Sequence, residues 1–183
     1  MNRLHAYLTE DFKKYGIDFR WLTFIKYLFG KSIALKFICW FRLTQCCKNR
    51  ILRKIVRQFL MRIERQFGIE IPDTVEVGPG LYIGHPYGIT VNPNVQLGKD
   101  VALHKGVTLG QENRGERKGA PIIDDRVWFG INSTVVGGVN IGTDVLIAPN
   151  SFVNVDVPSH AVVFGNPCIV KHKEDATQGY YVD

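Results

Sequence analysis

One periodicity constrains this chain more than any other feature. Taking every sixth residue gives Ile71, Val77, Ile83 and Ile89, then, after a two-residue slip, Leu97, Leu103 and Leu109. After an insertion it resumes at Ile123, Phe129, Val135, Ile141, Ile147 and Val153, and all thirteen positions are apolar. The residue two before each is mostly apolar or small, and the residue after is often glycine (Gly78, Gly84, Gly98, Gly110, Gly130, Gly142). An amphipathic helix repeats at 3.6 residues and cannot hold a strict six-residue period over such a length. Short strands joined by tight corners can, with one side chain per corner pointing inward and a small neighbour giving the backbone room. Three units close a triangular coil of about 18 residues, and coils stack at the strand spacing of about 4.8 Å. The expected fold is mainly β: a parallel β-helix with a dry, filled core.

The segment before the repeat has a different character. Residues 1–67 hold 15 Lys+Arg against 4 Asp+Glu, whereas residues 68–183 hold 8 against 13. The expected organisation is therefore a basic helical region over 1–67, a β-helix over 68–170 with a loop at 111–120, and a tail over 171–183. Between Trp21 and Leu43 large apolar residues are interrupted by Lys26, Lys31, Lys36 and Arg42, which excludes a membrane span. From Asn49 to Phe67 apolar residues recur at helical spacing with arginines and lysines elsewhere on the wheel. Two or three amphipathic helices are predicted, with breaks at Gly30 and Cys47–Asn49. Their cationic face is read as solvated or as lying on an anionic membrane; nucleic acid is not expected, since no recognition motif accompanies the charge. Cys39, Cys46, Cys47 and Cys168 lack CxxC spacing and no signal-peptide pattern opens the chain, so a reduced cytoplasmic protein with free thiols is expected, placed at the inner face of the cell membrane if the helices bind it.

The motifs "FGIEIP", "GHPYGITV", "VTLG", "IGTDVLIAPNSFV" and "VPSHAVVFGNP", in this order between Tyr27 and Lys171, resemble those of the left-handed β-helix hexapeptide acyltransferases. The similarity is to the serine O-acetyltransferase branch, including its relatives that acetylate bacterial surface polysaccharides. It implies left-handed coils, a homotrimer with active sites between subunits, and acetyl-CoA as co-substrate.

Within this resemblance His85 occupies the position of the general base, a role suited to an imidazole that is neutral before proton transfer and charged after it. Glu70, fifteen residues earlier, matches an Asp that orients the base, and the spacing places the two on neighbouring coils. The loop Gln111–Ala120 corresponds to one that covers cofactor and acceptor. Gly110, Gly130 and Ala148 match small positions along the pantetheine arm, and Gly165 and Lys171 match the segment near the adenosine end. His104 follows an inward residue and is expected to face solvent, His160 matches a structural position, and no three-histidine metal set stands out.

Two positions depart from the serine enzymes. They carry Asp where this chain has Gly84, and His where Lys118 follows Arg117; these positions bind the acceptor. The tail "GYYVD" also lacks their terminal Ile. The leading expectation is therefore acetyl transfer to a sugar hydroxyl in capsule or exopolysaccharide biosynthesis, with serine O-acetylation as the alternative and a non-catalytic membrane scaffold as the second.

Overall fold

The computed structural model describes residues 3–181, so the end of the "GYYVD" tail, Val182 and Asp183, lies outside the described residues. Four helices come first: α1 (Arg3–Lys13), α2 (Trp21–Leu28), α3 (Ile33–Cys46) and α4 (Arg50–Phe67). The sequence pattern missed α1, whose buried residues include only Leu8 and Phe12 as apolar side chains. Helix α3 is opened by Ser32, whose hydroxyl accepts from Leu35 N–H, and α4 by Asn49, whose side chain accepts from Ile51 and Leu52 N–H. Gly68 ends α4 in the left-handed conformation at φ 64° and hands the chain to the first strand.

Fifteen short strands follow. The first coil is β1 (Ile69–Glu70), β2 (Glu76–Val77) and β3 (Tyr82–Gly84), and the second is β4 (Ile89–Val91), β5 (Gln96–Leu97) and β6 (Ala102–His104). The third is β7 (Thr108–Gly110), β8 (Ile122–Ile123) and β9 (Val127–Phe129); the fourth is β10 (Thr134–Val136), β11 (Asn140–Ile141) and β12 (Val145–Ile147). A fifth holds β13 (Phe152–Val153) and β14 (Ala161–Phe164), and β15 (Ile169–His172) folds back antiparallel on β14. Strands from successive coils pair in parallel on three faces, in the orders β1-β4-β7-β10-β13, β2-β5-β8-β11 and β3-β6-β9-β12-β14. The parallel β-helix is thus observed, and eleven of the thirteen periodic residues stand less than 3% exposed, with Val77 at 3% and Leu97 at 4% as the loosest of the set.

The register locates the irregularities. Thr134 pairs with Phe152 and Val127 with Val145, the 18-residue coil expected from the period. Tyr82 pairs with Ala102, a coil two residues longer. The slip between Ile89 and Leu97 belongs earlier than the apolar pattern placed it: eight residues separate inward Ile83 from Val91, against six from Leu103 to Leu109. Both Ile89 and Val91 point inward, which is why the pattern alone continued to Ile89. The two extra residues therefore swell the corner from Gly84 to Gly88, which carries His85.

One buried ion pair ties the helices to the coil. Arg42 of α3 and Asp11 of α1 are both fully buried, with Arg42 Nε donating to Asp11 Oδ2 at 2.7 Å and Nη2 to Oδ1 at 3.0 Å. Arg42 also donates to the carbonyls of Val77 and Gly78, while Asp11 Oδ1 accepts from Gly80 and Leu81 N–H. Both charges are fully hydrogen-bonded, as burial of an ion pair requires. Tyr15 adds a second clasp: its hydroxyl donates to Ile83 O at 3.1 Å and accepts from Ile83 N–H at 2.9 Å. Arg42→Met, which leaves Asp11 buried without its partner, is expected to cost about 3–5 kcal/mol. A denaturant titration monitoring helix and β-helix signals separately measures it.

Candidate active site

His85 stands at the enlarged corner between β3 and β4, exposed and with φ 52°, a left-handed conformation that few non-glycine residues adopt. Its carbonyl accepts from Tyr87 N–H at 2.8 Å, and the Tyr87 ring meets Phe67 at the end of α4 edge-on at 5.6 Å. The corner is thus braced by the helix that enters the coil, and the imidazole projects outward.

Glu70 lies on β1, pairing with Thr90, so it shares the face that begins at the His85 corner. Among the described residues no hydrogen bond or ion pair joins Glu70 to His85. The charge of Glu70 is felt instead by Glu64 of α4, whose carboxyl burial pushes up and Glu70 pushes up further. Glu70 reaches the right neighbourhood but does not hold the ring in this chain alone.

The outward positions of the β3-β6-β9-β12 face form a column beside His85. Gly84 pairs with His104, and Gly130 and Ala148 follow β9 and β12 at the corresponding corners. His104 does not face solvent: it is 8% exposed, with its ring between Tyr82 (centroids 5.8 Å) and Trp128 (4.6 Å). Its Nδ1 lies 2.8 Å from Phe129 O. A carbonyl only accepts, so Nδ1 carries the hydrogen and Nε2 the lone pair. Burial, reinforced by the neighbouring His85, lowers the His104 pKa in spite of the Phe129 hydrogen bond. The sequence undervalued this residue because alternation predicts only that it points outward. The aromatic walls that bury it come from β3 and β9, on the coils to either side.

The other expected residues divide between two edges of the triangular helix. Gly110 ends β7 at the opposite corner, where the loop leaves, and a Cβ there would meet the Val136 side chain tightly, at 3.3 Å from Cγ2, but no backbone. At Gly130, by contrast, a Cβ would lie 2.5 Å from Pro149 N, so stacking of the next coil already requires glycine there. The loop closes as a hairpin through reciprocal Glu112–Gly119 backbone hydrogen bonds at 2.9 Å and rests on Gly137 and Gly138. Arg117 donates to Asn154 O, holding the loop down, and Lys118 is exposed. Gly165 and Lys171 lie at the far end of the helix; Lys171, exposed on β15, has its Nζ 5.6 Å from the Phe164 ring centre. One chain therefore brings together Gly84, His85, His104, Gly130 and Ala148, and leaves Gly110, Arg117 and Lys118 on another edge. His160 is structural, its Nδ1 3.0 Å from Asp144, which also accepts from Ala176 and Thr177 and fixes the C-terminal segment.

No family model matches the chain. A serine acetyltransferase of Helicobacter pylori is 31% identical over 126 residues, 69% of this chain and 74% of that protein. Serine acetyltransferase 2 of Arabidopsis thaliana is 35% identical over 106 residues, 58% of this chain but 33% of the relative, so the chain spans about a third of the plant protein. Among solved structures, soybean serine acetyltransferase apoenzyme superposes with a TM-score of 0.74 at 22% identity, covering 92% of this chain and 69% of that one. A serine acetyltransferase in complex with CoA gives 0.66 at 25% identity, covering 80% and 60%.

The burial of His104 sets a pH dependence. Its unfolded value is near 6.5 and its folded value lower, so the stability present above pH 6.5 falls away as pH drops from there through the folded value. Unfolding midpoints between pH 7.5 and 5 are expected to fall less steeply with acid in His104→Phe than in the unaltered protein.

Proposed function

The chain belongs to the serine acetyltransferase family, and on that premise we propose that it is an acetyl-CoA-dependent O-acetyltransferase with serine as acceptor and His85 as general base. The observation that carries the reading is the outward histidine on a corner enlarged by two residues, in a chain whose relatives are serine acetyltransferases. Those relatives support serine better than the sugar hydroxyl that led from sequence, and they weigh against a non-catalytic scaffold. A sugar hydroxyl remains a second reading on one observation: Gly84 offers no carboxylate beside His85 to pair with an amino acid's ammonium.

The chemistry asked of the site is one proton and one bond exchange. His85 accepts the proton of the acceptor hydroxyl at its free ring nitrogen, and the oxygen forms a bond to the thioester carbonyl as the carbon–sulfur bond breaks. The imidazolium then returns its proton to the departing thiolate, so the base is restored. Acetyl-CoA supplies the activated acetyl group, and the absence of a side chain at Gly110 and the small one at Ala148 fit a slender pantetheine arm. Gly165 and Lys171 are proposed for its adenosine end, where a cation meets phosphate. Arg117 and Lys118 are proposed on the acceptor side, Glu70 as the orienting carboxylate. Separation of these groups onto different edges of one helix supports a homotrimer in which the loop edge of one copy meets the His85 edge of the next.

The helices support a further part of this reading, association with an anionic membrane. No helix among the described residues is long and apolar enough to cross a bilayer. Yet Leu22, Ile25 and Phe29 at α2, and Ile51, Ile55 and Phe59 on α4, stand 39–81% exposed. Trp40 of α3 joins the two stripes, stacking on Phe59 at 4.5 Å and meeting Phe29 edge-on at 6.0 Å. Such a face beside 15 cations suits an anionic surface better than a second copy carrying the same charge.

Thiol release from acetyl-CoA is expected to depend on L-serine, to come from a species of three times the chain mass, and to fall about 10²–10⁴-fold in His85→Ala. Release driven by glycans and not by serine would transfer the acceptor to the second reading; no release with either would overturn the enzyme. In sedimentation with vesicles, binding is expected to phosphatidylserine and not to phosphatidylcholine, and to weaken in Ile55→Glu; equal or no binding would remove the membrane from the proposal.

A further inference from the structure

We infer that His104 is a specificity-determining residue: its Nε2 accepts a hydrogen bond from a donor on the carbon next to the acceptor's reacting hydroxyl. The inference rests on the acetyl-transfer reading and on His85 as base, and it concerns a residue to which neither the period nor the motifs assign a role.

The geometry begins at Gly84. A Cβ built there would lie 2.3 Å from His104 Cδ2 and 2.5 Å from Nε2. The imidazole edge from the second coil thus fills the place where residue 84 would project its own side chain, one residue before the base. Glycine at 84 is what lets that edge come up; any side chain would displace it. The ring cannot turn freely, because Nδ1–H is committed to Phe129 O and the faces are enclosed by Tyr82 and Trp128. Flipping it would put Cδ2 against the Phe129 carbonyl and leave that carbonyl without its Nδ1–H donor, a costly exchange in a buried setting. The edge that points toward Gly84 is therefore an acceptor with fixed direction.

Its chemistry follows from what surrounds it. The groups packed against His104 are the rings of Tyr82 and Trp128, the Phe129 carbonyl and the backbone of Gly84, with His85 as the ionisable neighbour that works against protonation. An uncharged acceptor beside a general base discriminates by complementarity: a substrate with a donor near its reacting hydroxyl satisfies Nε2, and one without leaves it desolvated and unpaired. A substrate that hands its hydroxyl proton to His85 presents the adjacent carbon to the same patch of surface. Two sources share this chemistry, the ammonium of serine and the neighbouring hydroxyl of a sugar diol.

The test compares initial rates of thiol release by the full chain and two variants. His104→Phe keeps a ring between Tyr82 and Trp128 but removes the acceptor; His104→Gln restores an acceptor without the ring. The acceptor pairs are L-serine against 3-hydroxypropionate, which lacks the ammonium, and methyl glucoside against ethanol, which lacks the neighbouring hydroxyl. In the active pair His104→Phe is expected to raise KM for the donor-bearing acceptor about 10–100-fold, with the KM for acetyl-CoA unchanged and the donor-lacking acceptor unaffected. His104→Gln is expected to recover part of the loss. Whichever pair responds identifies the source. Equal losses for both members of a pair, or an unchanged KM, would overturn the role of His104 while leaving the enzyme intact. If the unaltered protein releases no thiol, the acetyl-transfer reading fails; the His104 ¹⁵N resonances then decide this inference, a displaced Nε2 signal on adding L-serine or methyl glucoside supporting it and an unmoved one refuting it.

Discussion

The stacking of one inward apolar side chain on its equivalent in the next coil is the interaction on which the rest of the molecule depends. Strands of two to four residues have no stability of their own, and a parallel pair needs a connection of a dozen residues or more. Here each coil is that connection, so every strand inside a stack gains two partners and every inward side chain there a dry contact above and below. The 18-residue spacing of Thr134 with Phe152 and of Val127 with Val145 expresses this requirement as register. Corners are free to vary only where the inward column is not broken, and the two extra residues before Val91 and the loop before Ile123 are both tolerated on that condition.

The exceptions to the period are where His85 and the 111–120 loop stand. The enlarged corner lifts His85 away from the wall, and the insertion folds back as a hairpin over Gly137 and Gly138. Both departures are paid for by the regular coils around them. The helices serve the same corner from the other side: Arg42 and Asp11 knit α1 and α3 to the backbone from Val77 to Leu81, Tyr15 clasps Ile83, and Phe67 braces Tyr87. A cationic, externally apolar helical region is thus fixed next to the His85 corner.

Much of this was legible in the residues. The thirteen inward positions identified the coil, and the order of the motifs identified the family and singled out His85. Less legible were the features made by contact between distant segments. The pattern placed the two-residue slip after Ile89 because Ile89 and Val91 are both inward and a period cannot tell which begins the next coil. It expected Glu70 to hold His85, yet fifteen residues of separation fix only the coil and not the direction of a carboxylate on the adjoining face.

What the sequence by itself determined is the β-helix, its three faces and the outward histidine, because a repeat of six is a local rule that each unit obeys with its own residues. Only the tertiary structure decided that His104 is buried, which of its nitrogens holds the hydrogen, that Arg42 is neutralised by Asp11, and that the expected cofactor positions fall on separate edges. Those depend on neighbours in other coils and in the helices, and burial, tautomer and charge pairing are properties of an environment rather than of a residue.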